Sequence, residues 1–234
     1  MMKKSKRSDV DPFIVMDVME SARIAEEKGK DIIHMEVGQP GTPAPKIAKD
    51  YITNEINKNN LGYTVSLGLP ALRTKISKLY GDWYNLDLNP NRIVVTTGSS
   101  GAFILSFSAL FDSGDRVGIG SPSYPSYRQI LKSLSLETVD IQTKLQNRFQ
   151  PVPEDITNNN LNGILVASPA NPTGSMLDKQ SLENLINTAN ENNVSFISDE
   201  IYHGIQYENN PTSALEITDT VSYTHLRAHE TAQY

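Results

Sequence analysis

The chain has 234 residues, 38% of them hydrophobic and 21% charged, a globular mixture with enough apolar material for one or two domains, which excludes a disordered, collagenous or fibrous chain. Lys and Arg total 21 against 27 Asp and Glu, a net charge of −6, so there is no general basic footprint for a nucleic-acid backbone. Cysteine is absent, which excludes disulfides, thiol nucleophiles and thiolate-bound zinc or iron–sulfur clusters.

The basic start, Met1 to Arg7, runs into Ser8, Asp9 and Asp11 without the apolar region of a secretory signal. No stretch approaches the ~18 uninterrupted apolar residues of a membrane helix. The expectation is a soluble, cytoplasmic protein with no membrane and no nucleic-acid partner.

In chain order, Ile14, Val15, Val18, Met19, Ala22 and Ala25 recur at helical spacing, and Gly29 follows as a stop. Ile32 to Val37 reads as a short strand closed by a turn-rich stretch, Gly38 to Pro43. A helix is expected over Lys46 to Asn57 and a loop over Gly62 to Gly68. Pro70 opens a helix whose buried stripe is Leu72, Ile76, Leu79, Tyr80 and Trp83. Arg92 to Thr97 is a β-branched run, followed by Gly98-Ser99-Ser100-Gly101 and an apolar helix from Ala102 to Phe111.

Further strands are expected over Arg116–Gly120, Glu137–Ile141, Gly163–Ala167 and Val194–Ser198. Helix stripes lie between them, Tyr127 to Leu134 and Leu182 to Ala189, the second N-capped by Asp178. Asn158-Asn159-Asn160 reads as a loop. Short apolar strands alternating with amphipathic helices specify an α/β fold with a mostly parallel sheet.

In such sheets ligands bind outside the carboxyl ends of the strands, and four segments fall there. Thr97 to Gly101 places small residues between strand and helix, leaving N–H donors and the helix dipole for a phosphate; alone, it is equally a tight turn with serine caps. Ser121-Pro122-Ser123-Tyr124-Pro125 is a stiff loop able to hold an aromatic face over a flat ring, or simply a surface loop. Asn171-Pro172-Thr173-Gly174 is a turn whose amide can donate to a ligand oxygen. Ser198-Asp199-Glu200-Ile201-Tyr202 ends a buried strand in a carboxylate, which is costly unless it meets a cation such as a protonated ring nitrogen; the alternative is an Asp that caps a helix.

Together these residues resemble the class I and II pyridoxal-phosphate-dependent aminotransferases of the aspartate aminotransferase fold type. The resemblance runs from about Phe13 to about Asp219. It consists of Val37-Gly38-Gln39-Pro40, then Gly62-Tyr63-Thr64 with Gly68 and Leu72-Arg73, then the four segments above. Each piece is weak alone; six in family order are specific. The resemblance implies a three-layer large domain around a mostly parallel sheet, with pyridoxal 5'-phosphate as cofactor and amino acid and 2-oxo acid substrates.

By resemblance, Ser99 and Ser100 match the positions that hold the cofactor phosphate. Tyr124 matches the ring stacked on the pyridine. Asn171 and Tyr202 share the ring hydroxyl oxygen. Asp199 matches the carboxylate that keeps the ring nitrogen protonated and makes the ring an electron sink. Gly38 and Asn171 match substrate-carboxylate contacts. Tyr63 matches a residue that reaches the phosphate of a neighbouring subunit, which implies a homodimer.

The resemblance also requires a Schiff-base lysine beyond the matched aspartate, in a Ser-x-Ser-Lys segment. The last lysine is Lys179, and residues 200–234 contain none. Arg227 follows Arg148 with nothing around it that matches the family's substrate arginine. The expected organisation is therefore an N-terminal arm and small-domain segment over 1–45, an incomplete cofactor-binding large domain over 46–220, and a foreign, unstructured tail over 221–234. His225 and His229 stand four apart in that tail, without a third ligand at metal-site spacing.

On this reading the literal chain is catalytically inert and retains weak cofactor affinity. Three alternatives stay open: another reaction on the same cofactor, such as a C–S lyase; a nucleotide-binding module using Gly98 to Gly101; and a non-catalytic chain that pairs with a full-length subunit through the Tyr63 region.

Overall fold

The computed structural model describes residues 3–38, 41–58, 62–207 and 209–219. Gln39 and Pro40 of the expected turn, and the expected tail 221–234 with its two histidines, lie outside these. The chain divides into two compact units, the boundary falling between positions 61 and 62.

The first unit contains two helices, α1 (Ile14–Glu27) and α2 (Lys46–Lys58), and no residue of either is buried. After α1 the chain turns through Gly29 at φ +79, where its N–H bonds Glu26 O at 2.8 Å and the next N–H reaches back to Ala25 O at 3.1 Å. Only a residue without Cβ takes that conformation freely, so the predicted stop has a physical basis. Ile32–Val37 is not a strand. Ile33 and Met35 are 85% and 88% exposed, and a strand requires a ladder partner that this stretch does not have among the described residues.

The second unit follows as α3 (Pro70–Tyr84), α4 (Gly98–Leu110), β1 (Arg116–Ser121), α5 (Pro125–Ser133), β2 (Glu137–Gln142), α6 (Pro153–Asn158), β3 (Gly163–Ala167), α7 (Lys179–Glu191) and β4 (Ser195–Asp199). The strands lie in the order β2-β1-β3-β4, all parallel. The short α6 carries no helical stripe long enough to read in advance. Conversely, Arg92–Thr97 forms no strand: Pro90–Arg92 is a 3₁₀ turn, and the run beyond is tied to Leu67 O only through Val95 N at 3.0 Å. Its β-branched residues suit a sheet, but no neighbouring strand among the described residues supplies a ladder.

Side-chain alternation along the strands builds the layers. Ile164, Val166 and Phe196 point to one face, into a core with Ile156 of α6 and Leu182, Leu185, Ile186 and Ala189 of α7. Val117, Ile119, Leu165 and Ile197 point to the other, against Phe103 and Phe107 of α4 and Ile130 and Leu131 of α5. The result is a three-layer α/β domain with the sheet buried on both faces, as the apolar strands require. The direction of travel reverses between β2 and β3. Right-handed crossovers in opposite directions put α5 and α6 on opposite faces, and the reversal leaves a crevice between the exits of β1 and β3.

Asp178 caps α7 as expected, accepting from Ser181 N at 2.8 Å. In α3, Tyr80 is buried while Leu72, Ile76, Leu79 and Trp83 are half-buried. The buried Arg73 was not expected there; it donates from Nε and Nη2 to Pro90 O at 3.0 and 2.7 Å. Among the described residues no helix is long and apolar enough to cross a membrane.

Gly163 sits in the central strand β3, where an added Cβ would overlap the Phe111 ring. Gly163→Ala is expected to lower stability by about 1–3 kcal/mol in urea unfolding, and Phe111→Leu in the same chain is expected to recover most of that loss.

Candidate active site

β4 delivers Asp199 to the exit face, 3% exposed. Its Oδ2 accepts from Tyr127 Oη, and its Oδ1 accepts from Ile201 N at 3.2 Å. Residues 201–204 form a turn, so there is no helix for Asp199 to cap. Neither partner is a cation. Burial therefore pushes the carboxyl up to about 6, against the lowering pull of Tyr127 and the Ile201 N–H. The same burial and the adjacent carboxylate push the Tyr127 phenol up, which keeps it a neutral donor.

Tyr127 is the hub of the exit face. Its ring meets Tyr124 edge-on at 5.5 Å and Phe103 edge-on at 5.0 Å. Phe103 lies one turn into α4, the helix whose first turn holds Ser99 and Ser100. Helix α4 begins at Gly98, not Ala102, because Gly98 turns the chain at φ +74. Thr97 stands at the N-cap without a side-chain bond to the first-turn amides, so this end of the helix is not closed by its own cap.

The exit loop of β3 brings Asn171 to the exit turn of β4, where Asn171 Nδ2 donates to Tyr202 Oη at 3.1 Å. A shallow pocket opens at the crevice between β1 and β3, lined among others by Gly120, Pro122, Ser123, Tyr127, Gln150 and Asn171.

Asp199, Tyr124, Asn171 and Tyr202 thus lie on the exit side of the sheet, Asp199 and Tyr124 joined through Tyr127 and Asn171 paired with Tyr202. Tyr63 is fully exposed and is not among them; Gly38 belongs to the first unit. Sequence reading missed Tyr127, which it placed in a core stripe, and His203, and it named the buried Glu200 only as part of the segment that carries Asp199. Among the described residues no cluster of His, Asp and Glu could hold a metal.

The donor set fits a flat heterocycle with an anionic tail. The buried acid without a cation matches a ring nitrogen that carries a proton, the Asn171–Tyr202 pair matches a ring oxygen, and the open start of α4 matches a phosphate. The fold and this exit face define a three-layer α/β domain whose polar side chains converge at the strand exits.

A family model for the class I and II aminotransferases matches residues 30–228. The valine–pyruvate aminotransferase of Mycobacterium tuberculosis is 40% identical over 210 residues, covering 89% of this chain and 54% of its own. A Silicibacter pomeroyi protein, described provisionally as an aminotransferase, is 58% identical in its crystal structure and superposes with a TM-score of 0.85 over 94% of this chain and 57% of that one. An aminotransferase crystal structure from Mycobacterium tuberculosis is 37% identical with a TM-score of 0.88, over 95% and 58% respectively. The chain spans about half the length of the curated relatives it matches. It belongs to the class I and II aminotransferases.

Tyr127→Phe is expected to raise the Asp199 titration midpoint above about 6, because it removes a bond to the ionised form; carbon-13 NMR of the carboxyl measures this. Glu200 is likewise pushed up by burial, to about 7. Both acids hold their protons more tightly folded than unfolded. Their contribution to stability is therefore complete below the ordinary carboxyl range and is lost as pH rises through about 6 and about 7. Asp199→Asn is expected to flatten the lower part of that decline, by up to about 1.4 kcal/mol per pH unit, in urea melts between pH 4 and 7.

Proposed function

We propose that this chain provides the pyridoxal-phosphate-binding residues of an aminotransferase that moves an amino group between an amino acid and a 2-oxo acid. The observation that carries the reading is the Asp199 carboxyl, buried at a strand exit with a phenol and an amide for partners and no cation. The name of the Mycobacterium relative, which pairs valine with pyruvate, supports the substrate class.

When bound, the cofactor ring supplies a sink for the electrons released at the substrate's α-carbon. This chain's residues bind and orient. Asp199 holds a proton on the ring nitrogen, and Tyr127 fixes which way its carboxylate points. Asn171 Nδ2 and Tyr202 Oη hold the ring oxygen. The first-turn amides and hydroxyls of Ser99 and Ser100 hold the phosphate. Tyr124 would supply the aromatic face for the ring. Gly38 and Asn171 take the substrate carboxylate. Tyr63 reaches the phosphate of a second subunit in a homodimer, and its full exposure in the single chain accords with that role. The protein acts in the cytoplasm. Residues 200–234 hold no lysine, so proton transfer at the substrate carbon is assigned to none of the residues here.

Pyridoxamine 5'-phosphate tests the reading, since it has no aldehyde to label surface lysines. Its fluorescence or calorimetric titration is expected to show saturable binding, weakened at least about tenfold by Asp199→Asn, the loss of one charge-assisted contact. Binding is expected to tighten as pH rises through about 6, as Asp199 ionises. Asp199→Asn keeps the ligand phosphate's own titration and loses that share of the pH dependence. Equal affinity of the two chains across this range would refute the assignment.

A further inference from the structure

Behind the exit face lies a buried cluster that the proposed function does not use. His203, 4% exposed, follows directly on Tyr202. Its Nε2 lies 2.9 Å from Ser168 O. A carbonyl oxygen only accepts, so Nε2 carries the ring proton. In the neutral ring Nδ1 is then an acceptor, and Tyr84 Oη lies 2.6 Å from it, with the two rings 5.8 Å apart. Tyr84 belongs to the last turn of α3. The neighbouring Glu200 approaches Nδ1 at 3.5 Å through Oε2, while its Oε1 accepts from Ser198 Oγ at 2.8 Å and Ala214 N at 2.7 Å.

Ser168 is the first residue beyond β3 and stands three before Asn171. It is held from three directions. Its N–H bonds Asp199 O at 3.1 Å, its Oγ accepts from Leu177 N at 2.9 Å, and its carbonyl takes the His203 proton. One residue therefore receives both the strand-end carbonyl of the site acid and the imidazole next to Tyr202. The Asn171–Tyr202 bond spans the same two segments a few residues further out.

We propose that His203 is a positioning residue: as an Nε2-protonated imidazole between Tyr84 Oη and Ser168 O, it braces the exit loop of β3 against the exit turn of β4, and so holds Asn171 Nδ2 and Tyr202 Oη on a common acceptor of the bound ring. The inference rests on the cofactor reading above. The brace acts on the ring side of the site and leaves the phosphate side, at the start of α4, untouched. That division separates it from a general role in folding.

His203→Phe keeps a ring of similar size and drops both hydrogen bonds. His203→Gln keeps an N–H donor for Ser168 O. The expected result is an affinity for pyridoxamine 5'-phosphate about tenfold lower in His203→Phe, the scale of one misplaced hydrogen-bond pair, with inorganic phosphate affinity unchanged and most of the loss restored in His203→Gln. Undiminished pyridoxamine phosphate binding in His203→Phe, or an equal loss of inorganic phosphate binding, overturns the brace. Where Asp199→Asn is impaired and His203→Phe is not, the brace alone fails; where the unsubstituted chain does not bind, the cofactor reading fails and the positioning role falls with it. Should His203→Phe not fold, nitrogen-15 NMR of the unsubstituted chain decides. An Nε2–H tautomer supports the brace, and an Nδ1–H tautomer overturns it.

Discussion

The Asp199 carboxyl is almost wholly buried, and the arrangement of the exit face follows from that. A carboxylate at the end of an apolar parallel strand loses its hydration and must find donors or take up a proton. Here a phenol from α5 and one backbone amide supply donors, enough to fix the orientation of the acid but not to neutralise its charge. The acid is therefore poised to gain from a positively charged ligand group. The aromatic cluster of Tyr124, Tyr127 and Phe103 is the scaffold that carries this acid's donor, and through Phe103 it connects the acid to the start of α4.

The topology explains why the pieces meet. The chain visits β1 and β2 in one direction and then steps back across β1 to β3 and β4. Loops leaving β1 and β3 consequently diverge and leave room between them, while those leaving β3 and β4 run side by side and can bond to one another. Asn171 and Tyr202 are 31 residues apart in sequence and are brought to one hydrogen bond by adjacent strand exits.

Much of this was legible in advance. Gly163–Ala167 and Arg116–Gly120 are apolar runs between turn residues, and their strands formed where expected, because each has partners and two helical layers to cover it. The β-branched run Arg92–Thr97 and the stretch Ile32–Val37 look no different locally, yet neither is a strand. Pairing is a property of what lies alongside, and periodicity does not report it. The same holds within the site. Asp199, Asn171 and Tyr202 stood out because an acid, an amide and a phenol at strand exits are unusual; Tyr127 did not, since a tyrosine on an apolar helical stripe reads as core until its hydroxyl is seen to face a carboxylate. His203 escaped notice, and Glu200 was given no role of its own, for a related reason. Their partners, Tyr84, Ser168 and Ala214, are distant in sequence or belong to segments with no regular pattern.

The clasp between Glu200 and Ala214 ties the exit turn of β4 to a segment well beyond it in the chain. Glu200 Oε1 receives the Ala214 amide across residues 201–213, and burial pushes the acid up to about 7. The Ala214 N–H favours the ionised acid and burial favours the neutral one, so the two pull on the same proton in opposite directions, and burial prevails.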